Sequence, residues 1–267
     1  MFRFSLLGSG SSGNATLIET DAGAILIDCG LSFKQLALRV ERVGLSLDEL
    51  KAVFITHEHG DHVNGAGVLA RRMDVPVYMT DRTRECLPKG VGKLPRIECF
   101  ESGGLIELAG FEVQSFRVAH DAADPVSFAV RHAGTQLGFA TDLGSASHLV
   151  RQRLQGSHAL ILESNYCPQM LRQSPYPAAV VQRIGSRHGH LSNPDMNSLL
   201  SDLMHDALRI VVAVHISQEN NTVEKAREMA ARVLRGHDAE LYIAQQDEPS
   251  PVFEIEHADT AGLRETG

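Results

Sequence analysis

The stretch Ala52-Val53-Phe54-Ile55-Thr56-His57-Glu58-His59-Gly60-Asp61-His62 decides how the rest of the chain is read. It opens with an apolar run rich in β-branched and aromatic residues, the pattern of a buried strand. Three histidines and an aspartate then fall within six residues. A strand running straight into such a cluster delivers several imidazoles and a carboxylate to one rim of a sheet. That donor set suits zinc, manganese or iron. A packed interior has no use for titratable groups at this density. A helical pattern follows from about 63 to 72, so Asp61 and His62 fall where the chain turns.

Three more strand patterns end on a donor. Phe111 to Ala119 runs into His120, Leu137 to Thr141 into Asp142 followed by Leu143-Gly144, and Ile210 to Val214 into His215. Any one of them reads as readily as a hydrogen-bonded structural residue. In this order, after His-x-His-x-Asp-His, they carry a resemblance to the metallo-β-lactamase superfamily. The resemblance implies an α/β fold, a four-layer αββα sandwich of two mixed sheets flanked by helices. It also implies a two-metal site. His57, His59 and His120 would hold one ion, Asp61, His62 and His215 the other, and Asp142 would bridge them. A bridging water or hydroxide, acidified by both cations, would be the nucleophile.

The second half adds residues that metal binding does not need. Ala159 to Leu162 is a strand pattern closing on Glu163, and Gly189-His190-Leu191-Ser192-Asn193 is a loop ahead of a capped helix. The pair resembles the Glu and His of the ribonuclease Z and β-CASP nuclease branches, which implies that His190 faces the scissile phosphate and Glu163 supports it. The chemistry is consistent, since a phosphodiester needs its leaving oxygen protonated and an oriented imidazole can do this. The loops Ser9-Gly10-Ser11-Ser12-Gly13-Asn14, Glu163-Ser164-Asn165 and His215-Ile216-Ser217-Gln218-Glu219-Asn220-Asn221 resemble one subgroup, the YycJ/WalJ-like proteins. That resemblance spans about residues 3 to 245 and implies a 5′-to-3′ exonuclease-like activity on DNA, most simply single-stranded. The short span from Glu163 to His190 leaves no room for an inserted β-CASP domain. The same scaffold also supports ester, lactone or thioester hydrolysis of a small molecule, which is the alternative function.

Composition narrows the remaining classes. The 267 residues allow one large domain spanning 1–267, with a frayed tail expected from about His257. A net charge of −8 argues against non-specific binding of nucleic acid by the whole surface, while leaving room for a local groove. No apolar run approaches the ~18 residues of a membrane span. The N-terminus reads as a first strand, too short in its apolar part for a signal peptide. The four cysteines, Cys29, Cys86, Cys99 and Cys167, form no C-x-x-C pair, which suggests a reduced cytoplasmic setting. No obligate protein partner is inferable.

Several residues carry two readings. Asp28 ends the strand pattern Gly23 to Ile27, and either orients a ligand histidine or caps a turn beside Gly30. Glu58 is expected to point away from the metals. The loop Gly8 to Asn14 could approach a phosphate or simply form a hairpin, and Ser11, Asn14 and Asn220 are substrate-contact candidates. Arg183 and Arg187, spaced i, i+4, would share a helix face near His190 and meet phosphates, and Tyr176 could stack on a base. Helices are expected at about 33–43, 63–72, 145–155, 177–187, 195–206 and 222–235. Asn193 and Asn221 are expected as N-caps, and Ala133-Gly134 as a hairpin turn.

Overall fold

The computed structural model describes residues 1–256. The first sheet contains β1 (Phe2–Gly8), β2 (Ala15–Thr20), β3 (Gly23–Ile27), β4 (Leu50–Phe54), β5 (Val77–Thr80) and β6 (Ile97–Phe100). The second contains β7 (Leu105–Leu108), β8 (Phe111–Arg117), β9 (Val126–His132), β10 (Thr135–Ala140), β11 (Ala159–Glu163), β12 (Ile210–Val214) and β13 (Glu240–Ile243). The short β14 (Phe253–Glu254) returns to pair with β1. The strand orders are β14-β1-β2-β3-β4-β5-β6 and β13-β12-β11-β10-β9-β8-β7.

The two sheets repeat one pattern. Pairing is antiparallel up to β3 in the first and up to β10 in the second, and parallel from there on. Every residue of β3, β11 and β12 is buried. That is why these strands read as unbroken apolar runs rather than alternating ones. One face of each sheet meets the other sheet. Phe54 packs on Phe128 across the interface with ring centroids 5.8 Å apart, and Phe2 on Phe111 at 6.4 Å. The outer faces are covered by helices. Leu36 and Val40 of α1 (Phe33–Arg42) and Leu69 and Ala70 of α3 (Ala66–Met73), which follows the single turn α2 (Gly60–Val63), cover the first sheet. The second is covered by α5 (His148–Leu154), α8 (Asn193–Leu203) and α9 (Val223–Val233). Short helices α4 (Asp81–Glu85), α6 (Pro168–Arg172) and α7 (Ala178–Ile184) and one 3-10 turn (Lys89–Val91) complete the described elements. The four-layer αββα arrangement follows, because each sheet buries one face on its twin and one under helices.

Several local expectations change. The helix expected over 63–72 is broken at Asn64-Gly65 into α2 and α3. Gly65 N–H donates to the Cys29 carbonyl, and a Cβ there would overlap the Leu31 carbonyl, so the chain must kink around the β3 end. Ser192, not Asn193, caps α8 by accepting from Asp195 N–H, and Thr222, not Asn221, caps α9 by accepting from Lys225 N–H. The asparagine side chains are spent elsewhere, as described below. α7 stops at Ile184, so Arg187 lies beyond it and does not share its face with Arg183. The Ala133-Gly134 turn stands, with φ of 45° and 81° joining β9 to β10. The expected tail from His257 lies outside the described residues.

Candidate metal centre

Three of the site residues that end strands share an uncommon backbone. Asp28, Asp142 and His215 have φ of 60°, 51° and 56°, in the left-handed region that non-glycine residues seldom enter. Each follows a fully buried strand, so the bend turns a polar side chain out of the sheet at the moment the apolar run ends. Such strain, of order 1 kcal/mol per residue, persists where surrounding contacts over-determine it and is typical of functional sites.

Around the rim, the ring nitrogens are held in an ordered way. His57 Nδ1–H donates to Thr56 Oγ1 (2.9 Å), which itself donates to the Asp28 carboxylate (2.9 Å to Oδ2). His62 Nδ1–H donates to the same carboxylate at 2.8 Å. His120 Nδ1–H donates to the Gly189 carbonyl at 3.0 Å. His215 Nδ1 lies 3.1 Å from Glu163 Oε1 and 3.2 Å from Asp142 Oδ1. With Nδ1 committed, His57, His62 and His120 present Nε2 to the cleft between the sheets. Asp28 therefore acts on two histidines, one directly and one through Thr56.

The cleft side is unsatisfied. His57 Nε2, His120 Nε2 and Asp142 Oδ2 are buried without a hydrogen-bond partner. Leaving three such atoms bare would cost roughly 1–3 kcal/mol each, so their convergence is what a cation site looks like. Donor atoms of His57, His59 and His120 lie within 4.8 Å of one another, as do those of His57, His62 and Asp142. Asp142 Oδ2 is 3.2 Å from His62 Nε2, which lies 3.5 Å from Asp61 Oδ2. The seven residues picked out from the sequence thus meet in one cleft, and the donor set fits divalent cations.

Electrostatics follow from burial and neighbours. Burial pushes His57 well below the usual histidine range and lowers His120 as well. Burial acts the same way on His62 and His215. There it is outweighed by Asp28 and Asp142 for the first and by Asp142 and Glu163 for the second, and both stand well above that range. Burial opposes ionisation of Asp142, but His215 and His62 hold it well below the usual carboxylate range. Cys29, between Asp28 and Gly30, is pushed up to about 12 by burial, so it is an inert packing residue.

His190 stands beside this cluster. Its Nδ1–H donates to Glu163 Oε1 at 2.7 Å, and its ring lies between those of His120 (5.3 Å) and His215 (5.1 Å). Glu163 Oε2 accepts from Leu143 N–H at 2.6 Å and from Leu191 N–H at 3.2 Å. Asp142, Glu163, His190 and His215 also lie close enough to share an ion. Glu163 is poorly suited to that, because backbone amides and imidazoles already occupy both its oxygens. Glu58 is structural, its Oε1 accepting from Ala123 N–H.

The candidate substrate contacts separate. Ser11 and Arg183 line a groove that begins at His190 and His215. Asn14, Asn220 and Arg187 are not among its described lining residues. Asn14 is buried and bridges the glycine-rich loop to the histidine motif: its Oδ1 accepts from Gly10 N–H, and its Nδ2 lies 3.0 Å from His62 Nε2 and 3.2 Å from Asp61 Oδ2. Asn220 is fully buried, and Arg187 lines a separate cavity with Arg151 and Tyr166. The loop from Gly8 to Asn14 is thus a clamp across the two halves, since Ser9 Oγ also accepts from His215 N–H (2.8 Å).

Sequence reading missed a buried amide network behind His190 and His215. Asn193 and Asn221 exchange side-chain hydrogen bonds at 2.9 and 2.8 Å, Ser164 Oγ donates to Asn193 Oδ1, and Asn165 Nδ2 donates to the His215 carbonyl. The signal was the run of Asn and Ser just after each strand end, which composition alone assigns to turns.

This fold and cleft define a class. Residues 24–216 match the family profile described as Beta-lactamase superfamily domain, and the chain belongs to that family. Its fold is the metallo-β-lactamase fold: the metallo-β-lactamase fold protein YhfI from Bacillus subtilis superposes with a TM-score of 0.71 over 95% of this chain and 100% of its own, at 16% identity. In sequence, the chain is 35% identical over 233 residues to Exodeoxyribonuclease YycJ of Bacillus anthracis, covering 86% of this chain and 88% of the relative. It is 31% identical over 264 residues to Exodeoxyribonuclease WalJ of Streptococcus pneumoniae serotype 2 (strain D39 / NCTC 7466), covering 95% and 98%.

Proposed function

We propose that this protein is a metal-dependent phosphodiesterase of nucleic acid, an exonuclease acting on DNA from single-stranded or frayed ends. The observation that carries the reading is the Glu163–His190 pair. An imidazole tied at 2.7 Å to a fully buried carboxylate sits at the edge of the metal cleft, at the mouth of a groove. The homologues bearing exodeoxyribonuclease names support a nucleic-acid substrate. His57, His59 and His120 would hold one divalent ion, and Asp61, His62 and His215 a second, with Asp142 shared. Zinc fits the imidazoles and manganese the carboxylates. When bound, the two cations supply an activated water and neutralise charge on the phosphate. The chain's own residues do the rest. Asp28 and Thr56 hold two histidines in the ligating tautomer. Glu163 fixes the His190 ring, and His190 delivers a proton to the departing oxygen as the P–O bond breaks. No described helix is long and apolar enough to cross a membrane, and the widely spaced free cysteines fit the cytoplasm.

His190→Ala tests this directly. Cleavage of a DNA phosphodiester should fall about 10²–10⁴-fold, the range for losing a general acid. Cleavage of bis-p-nitrophenyl phosphate, whose leaving group needs little protonation, should fall less than about tenfold. Equal losses would remove the acid role. Wild-type protein that hydrolyses a thioester but not DNA would move the acyl-hydrolase reading to the front.

A further inference from the structure

The loop that follows β1 treats the two sets of metal donors unequally. Ser9 Oγ accepts from His215 N–H at 2.8 Å. Asn14 N–H donates to the Asp61 carbonyl at 2.7 Å, and Asn14 Nδ2–H donates to Asp61 Oδ2 at 3.2 Å. Asp61 comes after β4 of the first sheet and His215 after β12 of the second, and both are assigned, with His62, to the same ion. No described hydrogen bond joins residues 9–14 to His57, His59 or His120. His57 Nδ1 is held by Thr56, and His120 Nδ1 by the Gly189 carbonyl.

Position 14 needs a group that accepts on one side and donates on the other, which a side-chain amide does. Asn14 Oδ1 accepts from Gly10 N–H at 2.7 Å, and this fixes the amide so that its NH₂ faces Asp61. The backbone around it is pinned: Gly13 N–H donates to the Gly10 carbonyl and Gly30 N–H to the Asn14 carbonyl, both at 2.9 Å. Asp61 sits on the single turn α2 with its side chain 25% exposed. Asn14 makes the short contact that orients its carboxylate, whereas His62 Nε2 is farther away at 3.5 Å. Asn14 Nδ2 also lies 3.0 Å from His62 Nε2, so it borders two donors of the same ion. Its bond to the carboxylate is the stronger of the two, because an ionised acceptor strengthens a hydrogen bond. At the other foot of the loop, Ser9 Oγ satisfies the N–H of a residue held at a φ of 56°.

Resting on the two-ion assignment above, we infer that Ser9 and Asn14 are positioning residues for the ion of Asp61, His62 and His215 alone. Asn14 sets the carboxylate of one ligand and Ser9 the backbone of another. A loop that carries no ligand itself thereby fixes the separation of the two halves of that ion's site. The ion of His57, His59 and His120 does not depend on the loop, since Thr56 and the Gly189 carbonyl already hold its ligands. Asp28 differs in this respect, because it serves a histidine of each ion, His62 directly and His57 through Thr56.

The experiment titrates the metal-stripped full chain with zinc against a chromophoric chelator. The wild type should show two binding steps, and His59→Ala, which removes a ligand of the other ion, assigns them. Asn14→Ala should weaken the step that His59→Ala spares by about 10–100-fold, the range for lost partners of metal ligands, and leave the other step unchanged. Ser9→Ala, which deletes one hydroxyl, should weaken the same step by less, and it decides the matter if Asn14→Ala does not fold. At saturating metal, Asn14→Ala should recover most of its DNA turnover. A loss that persists with both ions bound would mean that the amide acts elsewhere, and would overturn the positioning role. Equal weakening of both steps, or of neither, would overturn the selectivity. A step that tightens would mean that the amide competes with the ion for the His62 lone pair, which also overturns the role. A wild type that binds a single ion overturns the two-ion assignment and this inference with it. Two steps in the wild type with no selective loss in the variants overturn this inference alone.

Discussion

Asp28-Cys29-Gly30 closes β3 in the first sheet, and Asp142-Leu143-Gly144 follows β10 in the second. Both aspartates are buried in the left-handed backbone region, and both sit where pairing changes from antiparallel to parallel. Both glycines are pressed against loop backbone. A Cβ on Gly30 would overlap the Asp61 carbonyl, and one on Gly144 would overlap the Arg187 carbonyl. Yet the carboxylates have different work. Asp28 is saturated by Thr56 N–H, Thr56 Oγ1 and His62 Nδ1, all from the chain following the neighbouring strand β4. Asp142 reaches along its own sheet toward His215 and across the cleft, where its Oδ2 lies 3.2 Å from His62 Nε2 without a hydrogen bond. The same corner orients two histidines in one half and offers a carboxylate oxygen to the cleft in the other. What differs is the hydrogen-bonding capacity of its surroundings.

The largest effect should come from the unsatisfied corner. Asp142→Asn is expected to cut DNA cleavage by about 10³-fold, the scale of losing a central electrostatic group, and to lower bound metal per chain. Elemental analysis after desalting, beside steady-state rates, checks this. An Asp142→Asn protein with full metal content and near-native turnover would mean that Asp142 is a second Asp28.

The glycines come next. Displacing a reacting group by about 1 Å can cost about 10²-fold, and either added methyl forces a shift of that order. Gly30→Ala pushes on the Asp61 loop and should lower metal content. Gly144→Ala pushes on the loop carrying His190 and should lower DNA turnover at better preserved metal content. Identical profiles for the two variants would erase the distinction between the halves.

Asp28→Asn should have the smallest of these effects, about 10–100-fold in metal affinity, as for other hydrogen-bond partners of ligand histidines. Because Asp28 holds His62 directly and His57 through Thr56, both ions should weaken. Competition with a chelator reads each binding step. Weakening of a single step would show that Thr56 does not relay the constraint.

Much of the centre was legible from local pattern. An apolar run ending in His or Asp is a short-range signal, and four such ends in order placed His57, His59, Asp61, His62, His120, Asp142 and His215 in one cleft. The Ala133-Gly134 turn and the buried strands were legible for the same reason. Turn geometry and two-sided burial leave their mark on neighbouring residues. Other features left no local mark. Asn14, Asn193 and Asn221 looked like loop or cap residues, and their amides are consumed by partners from other segments of the chain. Asn220 and Arg187 looked equally available, and the packing put one in the interior and the other on a separate cavity. The kink at Gly65 depends on the carbonyls of Cys29 and Leu31, which reach it from the loop after β3.

By itself, then, the sequence determined the donor types and their order along the chain, because strand-end chemistry is encoded residue by residue; periodicity alone reaches only a mixed α/β fold with two sheets, and the αββα sandwich was legible through the family resemblance those motifs carry. Only the tertiary structure decided which carboxylate has its hydrogen bonds made and which keeps an oxygen without one, that Glu163 holds both His190 and His215, and that Ser9 and Asn14 of the N-terminal loop tie down cleft residues while Ser11 lines the groove. The physical reason is that a polar group's role depends on how many of its hydrogen bonds are already made. In this protein those bonds come from segments distant along the chain: Thr56 and His62 reach Asp28 within the first half, and Leu143, His190, Leu191 and His215 reach Glu163 within the second.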